Sequence, residues 1–433
     1  MIVCRQLPRA GIPLEGTRTS RPRFDPRLCK KRSRLLQATV ISMATPEEPP
    51  DFSLMLGGPL YQIWRRAFLS GPALELVQRR VLIISLVAWL PLAVLSAVEH
   101  HLFGTQSLTF MHDIESHVRF LVALPALILA ELMVQHRLRP AVNLFVVRGI
   151  IPPEERPKFD SAIERAMRVR NSVILELGLF LLVYTVGIWI WRNEVALGTP
   201  TWYRLPDGAG THLTVAGYWL SFVSLPIFQF ILLRWYLRLG IWFLFLWRVS
   251  RLNLCLLPAH PDRAGGIGFL GGSSFAFSPL LFAQGALLAG FIASRIFYQG
   301  QSLSSFKAII AGLVGFCVVS VLGPLAMFTS RLSRAKRSGT SEYGTLATAY
   351  VSDFNQKWIR RGGNGEAMLG SADIQSLADV GNSFRIVDEM RPVPFSLNDT
   401  VRLAIAAALP ILPLILTIVP LEELIARLFK LIF

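Results

Sequence analysis

This sequence is short of charge. Asp, Glu, Lys and Arg make up 17% of its 433 residues, where soluble domains carry about a quarter. Acidic side chains are the scarcer sign, 28 against 44 Lys and Arg. The four cysteines, Cys4, Cys29, Cys255 and Cys317, are too few and too scattered for a disulfide framework. No nucleophile elbow, zincin helix, Walker phosphate loop or paired-cysteine motif occurs. These shortages exclude a soluble enzyme and a disordered scaffold, and no motif assigns an enzymatic activity.

Apolar sequence in long runs fills the space. Hydrophobic residues reach 52% and the mean hydropathy is +0.48. A bilayer core takes roughly 20 apolar residues as helix. Seven segments qualify, near 81–99, 118–136, 172–192, 214–236, 276–298, 308–329 and 401–420. The expected fold is all-α: a polytopic transmembrane helical bundle of about seven spans with a small cytoplasmic helical hairpin. The chain divides into a leader (1–42), a cytoplasmic N-terminal segment (43–80), six bundled spans (81–330), the hairpin (331–400), and a last span with an amphipathic tail (401–433). Pro410, Pro413 and Pro420 make that last span either a full crossing or a re-entrant turn. Leu239 to Trp247, too short to cross, is expected as an interfacial helix or as a continuation of the fourth span.

Basic residues orient the spans. Loops 137–171, 237–275 and 331–400 hold 8, 4 and 9 Lys and Arg, while 100–117, 193–213 and 299–306 hold one between them. The positive-inside bias makes the first set cytoplasmic, with the N-terminus inside. The charge of +16 then reflects loops that meet anionic lipid headgroups, not nucleic acid. Residues 1–42 contain ten Lys and Arg but no apolar core of signal-peptide length. Met43 opens an ordinary soluble start, so the leader is expected to be an over-extended reading frame. Trp189, Trp191, Trp202, Trp219, Trp235, Trp242 and Trp247 are expected to form an interfacial aromatic belt.

Two soluble stretches carry helical signals. Residues 154–171 read as a basic surface helix, with Ser161 and Glu164 as its capping box. In the hairpin, Tyr343, Ala347, Tyr350, Phe354 and Trp358 recur on one helical face. The run Gly362 to Gly365 ends it, Asp373 is the expected cap of a second helix, and Asn398 or Asp399 that of the last span.

Three groups of residues are candidate sites. The loop Leu257 to Gly272 contains His260, Asp262, Arg263, Gly265, Gly266 and Gly268. Its glycine pattern matches a dinucleotide fingerprint by letter, but no βαβ unit surrounds it. Exposed backbone N–H groups before a helix can hold a phosphate, a carboxylate or a lipid headgroup; equally, the glycines can serve tight packing. His112, Asp113, Glu115 and His117 form an outer cluster with metal-ligand chemistry but no standard spacing, and a solvated loop would look the same. Glu131, Glu176, Arg234 and Arg295 lie within spans, where ionisable groups pair or serve function. The first three share the inner half and can meet.

Several of these strings carry a resemblance. His260-Pro261-Asp262-Arg263-Ala264-Gly265-Gly266, Asp373 to Asp379, Met390-Arg391-Pro392-Val393-Pro394-Phe395 and Pro420 to Leu424 resemble a family of bacterial multi-pass inner-membrane proteins with a His-Pro-Asp-Arg-Ala-Gly-Gly loop. The resemblance covers roughly 55–433. It implies a bacterial inner membrane and a start near Met43. No activity is established for that family, so it brings no catalytic or binding residue.

The functional expectation is a transporter or channel for a small solute or ion, using Glu131 and Glu176. The alternative is a non-transporting module that binds a partner protein or anionic lipid through its cytoplasmic surfaces, as a homo-oligomer or with a partner subunit. A lipid-modifying enzyme using His260, Asp262 and Arg263 is a third reading. No cofactor is assigned.

Overall fold

Leu82, Leu86, Leu90, Val94 and Val98 are exposed on one helix while Arg80, Ser85 and Ser96 are buried. That reverses the pattern of a water-soluble fold and is what a lipid-facing helix requires. The computed structural model describes residues 52–66, 76–103, 108–190, 201–207, 210–360 and 370–417. Among these, seven helical stretches are long and apolar enough to cross a bilayer. The chain is an all-α, multi-pass membrane protein. The leader, Trp191, the Gly362 to Gly365 run and the tail beyond Thr417 lie outside the described residues.

In chain order the helices are α1 (Pro59–Arg66), α2 (Val77–Val98), α3 (Ile114–Val147), α4 (Arg156–Arg170), α5 (Val173–Ile190), α6 (Val215–Ser250), α7 (Phe269–Gln299), α8 (Leu303–Arg360), α9 (Ala372–Asp388) and α10 (Leu397–Thr417). The sheet among the described residues is one antiparallel hairpin, β1 (Arg204–Asp207) with β2 (Gly210–Leu213), pairing Arg204 with Leu213. Single π turns interrupt α3 at Arg119–Ala123 and α6 at Leu220–Ser224. Pro125 and Pro226 lie two residues beyond them, and the missing proline N–H groups leave the helical ladder to be re-registered there.

The expected spans are extended, mainly at their basic ends. α6 runs 36 residues, about 54 Å against a core of about 30 Å. Leu239 to Trp247 is therefore a continuation of the fourth span. Its apolar side is not spread on a lipid surface: α4 packs against it through Phe159, Ala162, Ile163 and Ala166. Phe52, Phe159 and Trp242 surround Phe245, with ring centroids 4.9, 6.0 and 5.5 Å away. A soluble-type core thus stands on the basic end of the bundle. α8 likewise passes from an apolar span through a tight turn at Gly323–Phe328 into the basic helix Thr329–Phe354, which pairs with α9.

Local corrections follow from cap geometry. Ser161 lies inside α4, whose start is set by Pro157 in its first turn, so Ser161 and Glu164 form no capping box. The last span is capped by Ser396, which forms a reciprocal capping box with Asp399. Asp373 does not cap α9; its carboxylate receives Lys357 Nζ and Trp358 Nε1, both at 2.9 Å. Trp202, Trp235 and Trp242 are buried in the protein, not set in an interfacial belt. α7 and α10 approach so closely that a Cβ on Gly285 would stand 1.9 Å from the Ala407 carbonyl oxygen. Only glycine permits that crossing.

Candidate functional site

Five buried charged side chains converge from the first turns of two spans and the interiors of two others. Arg80 comes from the first turn of α2, Glu131 from α3, Glu176 from the first turn of α5, and Arg234 and Arg238 from α6. Ser172 caps α5, its hydroxyl accepting Leu175 N–H, and Glu176 sits at the positive end of that helix. Arg234 and Arg238 share one face of α6, where two like charges a turn apart repel. Glu131 stands against both. Its Oε1 receives Arg238 Nη1 at 2.8 Å and lies 3.6 Å from Arg234 Nη1, while its Oε2 lies 2.7 Å from Arg80 Nη2. Arg234 Nε donates to Glu176 Oε1 at 3.1 Å.

Aromatic rings close the cluster. The Trp64 ring lies over Arg80 and Arg234, at 4.5 and 5.4 Å, and Arg238 lies over Trp235. The segment carrying Trp64 is tied to the bundle by Arg170 donating to the Ser53 carbonyl and by Ser53 Oγ donating to Gln135 Oε1. Among the described residues three guanidinium groups face two carboxylates, a formal charge of +1 for these five side chains. Arg80 is 1% exposed, and its Nε and Nη1 find no acceptor among the described residues. A buried cation with unmade hydrogen bonds is expensive, and an added anion would relieve it.

Glu131, Glu176 and Arg234, expected able to meet, are therefore together. Arg295 is not with them; it donates to Gln299 Oε1 and lies over Phe291 near the opposite end of α7. Arg80 and Arg238 are members that apolar-run reading missed. Arg80 falls one residue before the run that defines the first span. Arg238 marks the edge of the fourth. A charge at the border of an apolar window was the available signal.

The glycine-rich loop is built differently from expectation. Asp262 accepts the N–H groups of Ala264, Gly266 and Gly268 at 2.8, 3.1 and 2.8 Å. The donors expected to receive an outside anion hold the loop's own aspartate. Gly265 and Gly266 have φ of +64° and +96°, the left-handed backbone that aims these N–H groups inward. Burial alone raises the Asp262 carboxyl, but the Ala264, Gly268 and Gly266 donors and His260 outweigh it and hold the group below the usual carboxylate range. Arg263 turns away and pairs with Glu389 at 3.0 Å, and its carbonyl receives Arg391 N–H. Gly271 N–H donates to the Pro394 carbonyl. The loop and the Met390 to Phe395 stretch, distant in sequence, are one joint.

The His112, Asp113, Glu115 and His117 cluster is dispersed into separate bonds. Asp113 accepts Ser116 N–H and Oγ and Trp202 Nε1. His117 Nδ1 accepts from Trp89 Nε1, His112 Nδ1 meets Thr109 Oγ1, and Glu115 lies 4.0 Å from Arg119. Among the described residues no group of three or more His, Cys, Asp or Glu is placed to hold a metal ion. This corrects the metal reading of His112, Asp113, Glu115 and His117. Comparison with known protein families, curated proteins and solved structures finds no match to this chain.

Proposed function

We propose that this membrane protein is a transporter or channel for a small anion, and that the Arg80, Glu131, Glu176, Arg234 and Arg238 cluster binds it. The surplus positive charge of the buried cluster carries the reading, together with the unmade N–H groups of Arg80. A network with only a structural task needs no fifth charge, because Arg234 and Arg238 already balance Glu131 and Glu176. Ionisable groups kept within spans commonly mark solute pathways. Trp64 is then the cover over the site.

The test uses the full chain reconstituted in vesicles, with flux of chloride, phosphate and a small carboxylate measured for the wild type and Arg80→Gln. The variant leaves two arginines facing two glutamates and is expected to fold. Its flux is expected to fall at least about tenfold, the worth of one charge-assisted hydrogen bond. Unchanged flux in folded Arg80→Gln, or no flux of any of the three anions by the wild type, sinks the reading.

A non-transporting module that binds a partner protein is the second reading. Leu346, Val351, Ile359 and Ile374 favour it, because they are large, apolar and 54%, 41%, 69% and 38% exposed on the α8–α9 hairpin, beyond the apolar spans. It predicts a copurifying protein that Leu346→Glu with Ile359→Glu releases. A wild type that brings down none counts against it. In either reading we place the chain in a bacterial inner membrane, as the family resemblance implies, with its basic face and N-terminus in the cytoplasm, from the distribution of Lys and Arg. A reporter fused into the hairpin that works only outside the cytoplasm would reverse that assignment.

A further inference from the structure

The basic ends of α6 and α8 meet at a pocket of about 550 Å³ that is separate from the buried cluster. Ser250, Arg251, Ser330, Arg331 and Arg334 form its polar wall, Trp247 lies on its apolar side, and among the described residues no Asp or Glu lines it. Three guanidinium groups without a lining carboxylate are an uncommon arrangement for a concave surface, because like charges gather at a cost unless an anion joins them.

The three arginines have different tasks. Arg331 is part of the frame. Its Nε donates to the Ser250 carbonyl at 3.3 Å and its Nη2 to the Arg251 carbonyl at 3.0 Å, which satisfies acceptors at the C-terminus of α6. Arg251 lies over the Trp247 ring, its Cζ 4.1 Å from the ring centre, and its guanidinium makes no hydrogen bond among the described residues. Stacking on a ring face leaves the N–H edge of a guanidinium free. Arg334 spends only Nε, in a long bond to the Ser330 carbonyl at 3.4 Å. The unused edges of Arg251 and Arg334 border the same pocket, beside the Ser330 hydroxyl.

Depth narrows the ligand. Ser330 lies just beyond the Gly323–Phe328 stretch, where the apolar span of α8 gives way to its basic helix, and such a change from apolar to basic sequence marks the headgroup level. The pocket is therefore at headgroup level on the basic face. Guanidinium forks match pairs of phosphate oxygens in geometry and charge. We propose that the Arg251, Arg331 and Arg334 pocket binds a phosphate group, supplied by the headgroup of an anionic phospholipid or by a free phosphate compound. The site needs no part of the anion-transport reading and stands or falls apart from it.

The experiment measures two probes on the purified full chain. One is phosphatidylglycerol, retained against phosphatidylcholine in native mass spectrometry from mixed bilayers. The other is inorganic phosphate, by direct binding in phosphatidylcholine alone. Arg251→Gln with Arg334→Gln is expected to weaken the bound probe at least about tenfold. Arg337→Gln, an exposed arginine outside the pocket, is expected to leave it unchanged. Selective retention of phosphatidylglycerol identifies the lipid source, and binding of phosphate identifies the soluble one. The proposal is overturned if the wild type binds neither probe, if the double variant binds as the wild type does, or if Arg337→Gln weakens binding equally. Should the double variant unfold, Arg334→Gln alone, on an exposed helix face, carries the comparison.

Discussion

Arg80 Nη2 lies 2.7 Å from Glu131 Oε2, and the contact joins the first turn of α2 to the interior of α3. Glu131 is also the partner of Arg238 and the neighbour of Arg234. Glu131→Gln therefore removes the charge that three guanidinium groups share. Deleting one partner of a buried ion network costs about 3–5 kcal/mol. The apparent unfolding midpoint in detergent is expected to drop sharply for Glu131→Gln and to change far less for Arg80→Gln. Equal midpoints for Glu131→Gln and the wild type would remove Glu131 from the centre of the network.

Trp64 covers two of those arginines. Trp64→Ala is expected to open Arg80 to phenylglyoxal, with the labelled peptide identified by mass spectrometry. The stacking itself is worth about 0.5–2 kcal/mol, so the protein should stay folded. If Arg80 labels no faster in the variant, the indole is not its cover.

Asp262 gives a pH dependence with a definite sign. Its folded pKa is depressed by the backbone donors, so its contribution to stability is complete above the ordinary carboxylate value of about 3.9. That contribution is lost as pH falls through the lower folded value. Asp262→Asn should be less stable than the wild type at neutral pH by about 1–3 kcal/mol, the cost of buried donors left unmatched. The gap between the two midpoints should narrow below about pH 4. A gap that persists unchanged into strong acid would contradict the carboxylate's role.

Gly285 and Gly312 separate close packing from helix propensity. A Cβ on Gly285 would enter the Ala407 carbonyl, whereas one on Gly312 meets nothing within 4 Å. Gly285→Ala should destabilise by about 1–3 kcal/mol. Gly312→Ala should be neutral or stabilising by up to about 1 kcal/mol. Equal effects in thermal unfolding would show that α7 and α10 are not in contact there.

The spans were legible because apolar runs are long and unambiguous, and their ends were not, because amphipathic continuations look like loops. Leu239 to Trp247 illustrates this: its burial comes from α4 and Phe52, which no local pattern announces. Glu131, Glu176 and Arg234 could be grouped from depth alone. Their geometry could not, since it depends on the rotation of four helices. The glycine loop departs from its expected form in one respect. An aspartate three residues before a glycine pair can turn back and fill the nest itself, and Asp262 does. The Ser396 and Asp399 box was visible as a Ser followed three residues later by an acid, yet the cap was expected two or three positions late.

From Leu225 to Ser250, α6 continues without a break for 26 residues. It bears Arg234 and Arg238 in the buried cluster and Ser250 at the rim of the surface pocket. Both sites are mounted on one shaft. Any swivel of that shaft that loosens the grip of Glu131 on its arginines also turns the C-terminal carbonyls against which Arg331 is braced. The surface pocket and the buried charges thus answer to the same torque.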